Sequence, residues 1–179
     1  RQNYKNEDFY VNKSNFFAFD LINKWPKWEK NILNIHGEKY CGKTHLSNIF
    51  KKKYKAFKIR ANEFNSNNLK EFKVFENLIL EDFDESVDEN LMYTLFNIAD
   101  QDNKFILINS LIPINQLNFK LNDFKSRAKN CLFAKIEKPD DELIFAILLK
   151  NFSDRQITIE KKLIDFIIKH IDRSYGKIY

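Results

Sequence analysis

Short apolar runs alternate with longer amphipathic stretches along the first three-quarters of the chain. Each short run has the length and apolar content of a buried strand, and each longer stretch has the period of a helix. The predicted strands are 32–35, 57–60, 78–80, 105–109 and 132–136. The predicted helices are 15–24, 44–52, 69–75, 88–99 and 123–127. Because strands and helices alternate, the pattern predicts an α/β fold with a five-stranded parallel sheet and flanking helices.

The chain on either side of this pattern is predicted to be helical. Ser14 is the expected cap of the first helix, and Pro26 is expected to stop it. After the last strand, 140–151 and 159–170 favour helices with no strand between them, and a third helix is expected at the C-terminus. We therefore predict two parts, an α/β subdomain and a helical lid that is cut short, at residues 1–136 and 137–179.

Composition and charge say little about the location and the binding partners of the chain. The longest apolar run, 143–149, is far shorter than the roughly 20 residues of a membrane span, so no membrane contact is expected. Residues 1–6 are polar and do not begin with Met, so we expect neither a signal peptide nor the true start of the gene product. Cys41 and Cys131 cannot form a disulfide framework, which favours a reducing cytoplasm. The net charge of +5 permits contact with nucleic acid without requiring it.

One segment carries a phosphate-binding pattern. From Gly37 to Thr44 the sequence matches G-x-x-x-x-G-K-[ST] at every fixed position, between a predicted strand and a predicted helix. Backbone N–H groups between the glycines would point at phosphate oxygens, and Lys43 would neutralise the β and γ phosphates. The alternative is a solvated glycine turn with an exposed lysine. The residues predicted to bind the nucleotide here are Gly37, Glu38, Lys39, Tyr40, Cys41, Gly42, Lys43, Thr44 and His45.

Two acids follow the third predicted strand. Glu81 and Asp82 come directly after the apolar run 78–80, at the carboxyl end of the strand, where ligands of open α/β sheets bind. Together with the hydroxyl of Thr44 they predict a Mg²⁺ site, and Asp82 is also a candidate to orient an attacking water. Glu81 stands where Asp is usual, so its carboxylate reaches about one methylene farther. A solvated acidic loop is the alternative.

These motifs resemble the AAA+ core of the DnaA family of bacterial replication initiators and, within it, the short regulator Hda. The resemblance covers nearly the whole chain and implies an AAA+ P-loop NTPase fold. It implies that Tyr10, Val11 and Asn15 lie against the adenine. It also implies that Asn109 occupies the sensor 1 position near the γ phosphate, and that Arg127 is an arginine finger acting in a neighbour's site. The matching segments are 9–15, 31–46, 77–82, 105–109, 123–127 and 139–142.

The function implied by the resemblance is that of an Hda-like regulator of replication initiation. Such a protein would bind ATP or ADP with Mg²⁺, form homo-oligomers, associate with the DnaA initiator and the sliding clamp, and use Arg127 to promote ATP hydrolysis on DnaA. Gly176 falls where the family's sensor 2 arginine is expected, which implies weak or absent hydrolysis by the chain itself. The alternatives are the AAA+ domain of an initiator that assembles on origin DNA, a helicase loader, and a binding module with an inactive nucleotide site.

Several of these residues also have a purely structural interpretation. Asn109 would then be a buried strand-end amide satisfied by backbone, and Arg127 a surface residue paired with Asp123. The basic stretch 51–55 is either a solvated helix end or a contact for the DNA backbone.

Overall fold

A computed structural model describes residues 9–178, so the expectation for residues 1–6 lies outside the described part of the chain. A five-stranded sheet lies at the centre of the fold. The strands are β1 (Ile32–His36), β2 (Phe57–Arg60), β3 (Asn77–Phe83), β4 (Phe105–Ser110) and β5 (Leu132–Lys135). All neighbouring pairs are parallel, and the order across the sheet is β2-β3-β4-β1-β5. The predicted fold class is therefore confirmed.

Eight α-helices flank or follow the sheet in the described part of the chain. They are α1 (Phe16–Lys24), α2 (Lys43–Tyr54), α3 (Ser66–Val74), α4 (Glu89–Gln101), α5 (Asn122–Lys129), α6 (Asp141–Asp154), α7 (Lys161–His170) and α8 (Tyr175–Ile178). Two of them begin at an aspartate whose side chain accepts a backbone N–H of the first turn, Asp88 in α4 and Asp140 in α6. Every helix predicted from the sequence is present, with ends shifted by a few residues.

The first helix lacks the cap that the sequence predicts. Its N-cap position is Asn15, not Ser14, and the Asn15 side chain makes no capping hydrogen bond. The Ser14 hydroxyl instead donates to Asn12 Oδ1 at 2.6 Å, and Asn15 Oδ1 accepts the backbone N–H of Asn12 at 3.0 Å. The expectation for Ser14 is therefore wrong, because both side chains hold the turn that precedes the helix.

The sheet is buried on both faces. On one face the strands pack against α3, α4 and α5, through buried residues that include Leu78, Leu80, Ile106, Ile108, Phe72, Leu95, Phe96 and Phe124. On the other face they pack against α1 and α2, through buried residues that include Leu33, Ile35, Ile79, Leu107, Ile22, Leu46 and Phe50. Burying each such side chain contributes roughly 1.5–3 kcal/mol, so these two layers fix the position of everything attached to the strand ends.

One polar side chain lies inside the central strand. Asn34 is fully buried, and its Nδ2 donates to Ile108 O at 3.2 Å and to Ser110 Oγ at 2.9 Å. Its Oδ1 accepts the backbone N–H of Ile114 at 3.0 Å. A buried amide that meets its partners ties the chain after β4 to β1 at the end of the sheet where the candidate site lies.

The last three helices form a separate cluster beyond β5. The buried residues of this cluster are Ile144, Leu148, Ile164 and Ile178. The helices agree with those predicted after residue 137, whereas the division into two subdomains stays a prediction. None of the helices in residues 9–178 is long and apolar enough to cross a membrane.

Candidate functional site

The loop between β1 and α2 takes the tight path that its glycines predict. Gly42 has a φ of +98°, in the left-handed region that side chains rarely adopt, and it occupies the N-cap position of α2. At Gly37 the limit is space, because a Cβ atom would lie 2.9 Å from the carbonyl oxygen of Ile136 and 3.0 Å from Cys41 Sγ. The close backbone approach that a phosphate loop needs therefore depends on glycine at both positions.

Replacing Gly37 with alanine is expected to lower the free energy of unfolding by about 1–3 kcal/mol, as overpacking usually does. The atom in the way is the backbone oxygen of Ile136, directly after β5, which cannot rotate aside. Gly176→Ala is the matched control, because a Cβ there meets only the Tyr40 ring, at 3.7 Å. Urea denaturation of both variants measures the difference. A Gly37→Ala variant as stable as the parent would contradict this account of the loop.

Lys43, at the start of α2, folds back over the loop. Its Nζ donates to Gly37 O at 2.7 Å and to Glu38 O at 2.8 Å. The ammonium is thereby held inside the bend, beside the first turn of α2, whose N–H groups have no acceptor within the helix. A cation and a set of backbone donors in one concave segment provide what a phosphate group requires.

The other predicted loop residues lie in different environments. Lys39 and Tyr40 are exposed on the outer part of the loop, and Glu38 is half-buried. Cys41 is buried, and burial raises the pKa of its thiol, which therefore stays protonated at neutral pH. The His45 ring packs against Phe9, with ring centroids 5.2 Å apart.

Thr44 and Glu81, two of the predicted Mg²⁺ ligands, contact each other, and a lysine joins them. Thr44 Oγ1 donates to Glu81 Oε2 at 3.0 Å. Lys58 Nζ lies 2.8 Å from Glu81 Oε1 and donates to Asn48 Oδ1 at 2.7 Å. The exposed fractions of the Lys58 and Glu81 side chains are only 17% and 8%. The ion pair is therefore largely shielded from water, with Oε1 facing the ammonium and Oε2 accepting the Thr44 hydrogen bond.

The pKa of Glu81 reflects this pairing. Burial by itself would raise the pKa, but the hydrogen bond and positive charge of Lys58 outweigh burial, with further help from Asn109 and Thr44. The net result is a pKa below the ordinary value for glutamate. Glu81 is therefore a carboxylate at neutral pH, and its negative charge is matched by the Lys58 ammonium.

Asp82, the second predicted acid, points away from this pair. Its φ is +53°, and the pairing of β3 with β4 shifts register between Leu80 and Phe83. This irregularity returns Phe83 to the core face and leaves the Asp82 side chain 76% exposed, with Oδ2 3.9 Å from Arg60 Nε. Asp82 borders a cleft of about 320 Å³ together with Thr44, Lys58 and Glu81, but it does not join the other predicted Mg²⁺ ligands in their contacts.

Asn109 lies under the helix that follows the loop. It is buried, and its Nδ2 donates to the hydroxyl of Ser47 in α2 at 2.6 Å. The interpretation of Asn109 as an amide satisfied by backbone is therefore wrong, because the partner is a side chain. Ser47 lies three residues after Thr44, so this bond ties the end of β4 to the first turns of α2.

The N-terminal segment, defined as residues 9–15, lies across the loop. The Phe9 ring approaches Gly42 so closely that a Cβ on Gly42 would lie 3.0 Å from it. Tyr10 donates from its hydroxyl to Glu142 Oε1 at 2.9 Å, which raises the pKa of Tyr10. Val11 is half-buried, and the Asn15 Nδ2 donates to Tyr10 O at 2.9 Å. Asn15, one of the three residues expected to lie against the adenine, thus uses its side-chain amide to stabilise the conformation of the N-terminal segment.

Arg127 lies at the other end of the sheet. Its Nη1 donates to Asp100 Oδ2 in α4 at 2.5 Å, so the alternative interpretation that pairs Arg127 with Asp123 is wrong. Arg127 shares a pocket with Asn31, the residue before β1, whereas the phosphate loop follows the far end of β1. At about 3.3 Å per residue, the five residues of β1 separate the two ends by about 13 Å. Arg127 therefore does not reach the phosphate loop of its own chain.

The C-terminal helices, which are predicted to form the lid, contact the phosphate loop through α8. The Tyr175 N–H donates to Glu38 Oε1 at 2.7 Å, and the Tyr175 hydroxyl donates to Glu137 O at 3.2 Å. Gly176, at the expected sensor 2 position, faces the Tyr40 ring without a side chain of its own. Arg173 is paired with Asp141, with 2.8 Å between Nη2 and Oδ1. The loop and the lid are thus linked by Glu38 and Tyr40 instead of by an arginine.

Sequence reasoning missed three residues that shape the site: Asn48, Ser47 and Lys58. Alternation along β2 could have drawn attention to Lys58, because it places Lys58 and Arg60 on the same face of the strand. Asn48 and Ser47 carry a weaker signal, since polar residues are common in helices.

No protein-family model matches the chain. The chain is similar in sequence to the chromosomal replication initiator protein DnaA of Borrelia duttonii, at 29% identity over 199 aligned residues that cover 96% of this chain and 41% of that protein. It is 28% identical to DnaA of Corynebacterium jeikeium over 204 residues, covering 99% of this chain and 35% of that protein. The chain thus spans about two-fifths or less of the length of these relatives.

Solved structures share the fold. Domain III of Thermotoga maritima DnaA superposes with a TM-score of 0.78 at 21% identity, covering 99% of this chain and 85% of that one. The structure of DnaA bound to AMPPCP and single-stranded DNA gives a TM-score of 0.78 at 18% identity, covering 98% of this chain and 62% of that one. The Thermotoga maritima RuvB branch migration motor gives a TM-score of 0.59 at 14% identity, covering 83% of this chain and 51% of that one. The chain therefore has the AAA+ P-loop NTPase fold and is homologous to the AAA+ domain of DnaA, whereas a particular closeness to Hda stays a prediction.

Proposed function

We propose that this chain binds ATP or ADP and acts in the initiation of DNA replication. The observation that carries the proposal is the Gly37–Thr44 loop, in which the Lys43 ammonium lies within the bend beside the first turn of α2. The homologous DnaA has been solved with AMPPCP, a nucleotide analogue, and this supports a nucleotide as the ligand. Phosphates would replace the loop carbonyls as partners of Lys43, because an ammonium is attracted more strongly to a negatively charged oxygen than to a neutral carbonyl.

The base of the nucleotide would lie against the N-terminal segment. Phe9, Tyr10 and Val11 present an aromatic and apolar edge beside the loop, and Phe9 packs over Gly42 and His45. Hydrogen bonds from Asn12 to Asp140 and from Tyr10 to Glu142 tie this segment to the lid. An adenine ring held there would therefore contact residues whose positions depend on both parts of the chain.

Replacing Lys43 with alanine is expected to weaken ADP binding about 10- to 150-fold, the range for losing a charge-assisted contact of about 1.5–3 kcal/mol. Lys52→Ala is the matched control, because Lys52 is an exposed lysine of the same helix. Isothermal titration calorimetry with ADP and with ATP measures both. Absence of nucleotide uptake by the parent protein, or equal affinity in parent and Lys43→Ala, would refute the proposal.

The finer part of the proposal is a regulatory role of the Hda type. Arg127 lies at the end of the sheet opposite the loop, which favours action on the nucleotide of a neighbouring subunit, in a homo-oligomer or on DnaA. An arginine finger stabilises the charge that develops in phosphoryl transfer. The chain's own hydrolysis is proposed to be weak, because Gly176 offers no side chain and Arg173 is paired with Asp141. Association with the sliding clamp belongs to this role and would be tested by pull-down.

The main alternative is an initiator domain that assembles on DNA. The homologous DnaA has been solved with single-stranded DNA, and Lys51, Lys52 and Lys53 are exposed at the end of α2. Phosphate contacts from such lysines would make binding strongly dependent on salt. Filament formation with ATP on single-stranded DNA would favour the initiator, whereas stimulation of DnaA hydrolysis without DNA binding would favour the regulator. Capture of replicative helicase instead of the clamp would indicate a helicase loader.

A further inference from the structure

Lys58 is fixed at the place where the sequence predicts a metal. Its ammonium lies 2.8 Å from Glu81 Oε1 and donates to Asn48 Oδ1 at 2.7 Å. Lys58 comes from β2, Glu81 from β3 and Asn48 from α2, so three elements of the folded core converge on one cation. Its side chain is only 17% exposed. A surface lysine would not be held in this way, because a flexible ammonium normally keeps its water.

The predicted Mg²⁺ ligands do not form an open cation site. The Thr44 hydroxyl donates its proton to Glu81 Oε2, and Glu81 Oε1 faces the ammonium. Asp82, the third predicted ligand, is 76% exposed and lies towards Arg60. Within residues 9–178, no group of three or more His, Cys, Asp or Glu side chains is arranged to hold a metal ion. A divalent cation shared by Thr44 and Glu81 would have to displace the Lys58 ammonium or remain beside it, and like charges repel.

We propose that the Lys58 ammonium takes the place of Mg²⁺ in this site, so that the nucleotide of the proposed function is bound without dependence on a divalent metal. An ammonium has three donors, so besides its hydrogen bond to Asn48 and its ion pair with Glu81 it can still donate to a phosphate oxygen. Lys43 supplies the second positive charge from the loop, and Arg60 borders the same cleft. Two lysines and backbone donors thus neutralise a nucleotide's terminal phosphates with residues of the chain itself.

The first test compares ADP binding in excess MgCl₂ with ADP binding in excess EDTA, by titration calorimetry. The parent affinity is expected to change less than about threefold between the two, whereas Mg²⁺ is expected to raise the affinity of Lys58→Met at least about tenfold. Lys70→Met, at an exposed lysine of α3, is the matched control and should behave like the parent. A tenfold or larger Mg²⁺ dependence of the parent would overturn the proposal. ADP uptake in neither condition would instead refute the proposed function.

The second test needs no nucleotide and shows whether the variant folds. MgCl₂ is expected to leave the melting temperature of the parent unchanged and to raise that of Lys58→Met, because the variant frees the Glu81 carboxylate for a metal. Lys58→Gln, which keeps a hydrogen-bonding group without the charge, should respond in the same direction if Lys58→Met does not fold. Stabilisation of the parent by MgCl₂ as large as that of both variants would overturn the proposal.

Discussion

Replacing Arg127 with alanine is expected to lower the proposed stimulation of DnaA's ATP hydrolysis about 10³-fold, the lower end of what an arginine finger contributes. The protein's own affinity for ADP should not change, because Arg127 and the phosphate loop lie at opposite ends of β1. The measurement is the rate of phosphate release from ATP-loaded DnaA with increasing amounts of each variant.

The ion pair of Arg127 contributes little to stability, so the test separates loss of stimulation from loss of folding. The side chains of Arg127 and Asp100 are 38% and 40% exposed, and a pair in such a position contributes at most about 1 kcal/mol to stability. A loss of stimulation near 10³-fold therefore cannot come from unfolding. Lys129→Ala, at an exposed cation of the same helix, is the matched control, and Arg127→Lys should recover little because an ammonium lacks the planar fork of donors. Undiminished stimulation by Arg127→Ala would exclude the finger.

The fold could be predicted from the sequence because its signals are local. Each strand and helix is specified by apolar periodicity within a dozen residues, and the parallel direction of the strands follows from their alternation with helices. The end of β3 could not be predicted. The run 78–80 extends to Phe83, and the positive φ at Asp82 turns this side chain out to solvent, so that Phe83 instead of Asp82 takes the core face. Regular alternation gives no hint of such an irregularity.

The phosphate loop could also be predicted, because its signal is local. The ion pair between Glu81 and Lys58 could not. Gly37 and Gly42 are required by backbone geometry that the sequence states directly. The Lys58–Glu81 pair depends on register, because the residue directly opposite Glu81 in β2 is Arg60. Lys58 reaches the carboxylate from two positions away on the same face, while Arg60 lies towards Asp82. Only the assembled sheet decides which of the two cations meets the buried acid.

Replacing Glu81 with alanine is expected to lower the free energy of unfolding by about 3 kcal/mol, because the change leaves a shielded ammonium without its counter-charge. Thr44 Oγ1 would lose its acceptor as well. Glu76→Ala is the matched control, since Glu76 is exposed just before the same strand, and it should change stability by no more than about 0.5 kcal/mol. Chemical denaturation measures both. Equal stability of the two variants would mean that solvation by water stabilises the Lys58 ammonium as much as the ion pair with Glu81 does.

The same pair makes stability depend on pH in a defined direction. The pKa of Glu81 in the folded chain lies below its ordinary value of about 4.3, so folding favours the carboxylate. Its contribution is therefore complete above that ordinary value, declines as the pH falls through it, and is lost below the folded pKa. Glu81→Gln keeps the size of the side chain and does not titrate, so its free energy of unfolding should fall less steeply than that of the parent below about pH 4.5. Asp84 and Glu89 also have lowered pKa values, but they are present in both proteins and cancel in the difference. Parallel curves for parent and variant would show that Glu81 gains nothing from its charge, and the ammonium beside it would then lose its assigned role as counter-ion.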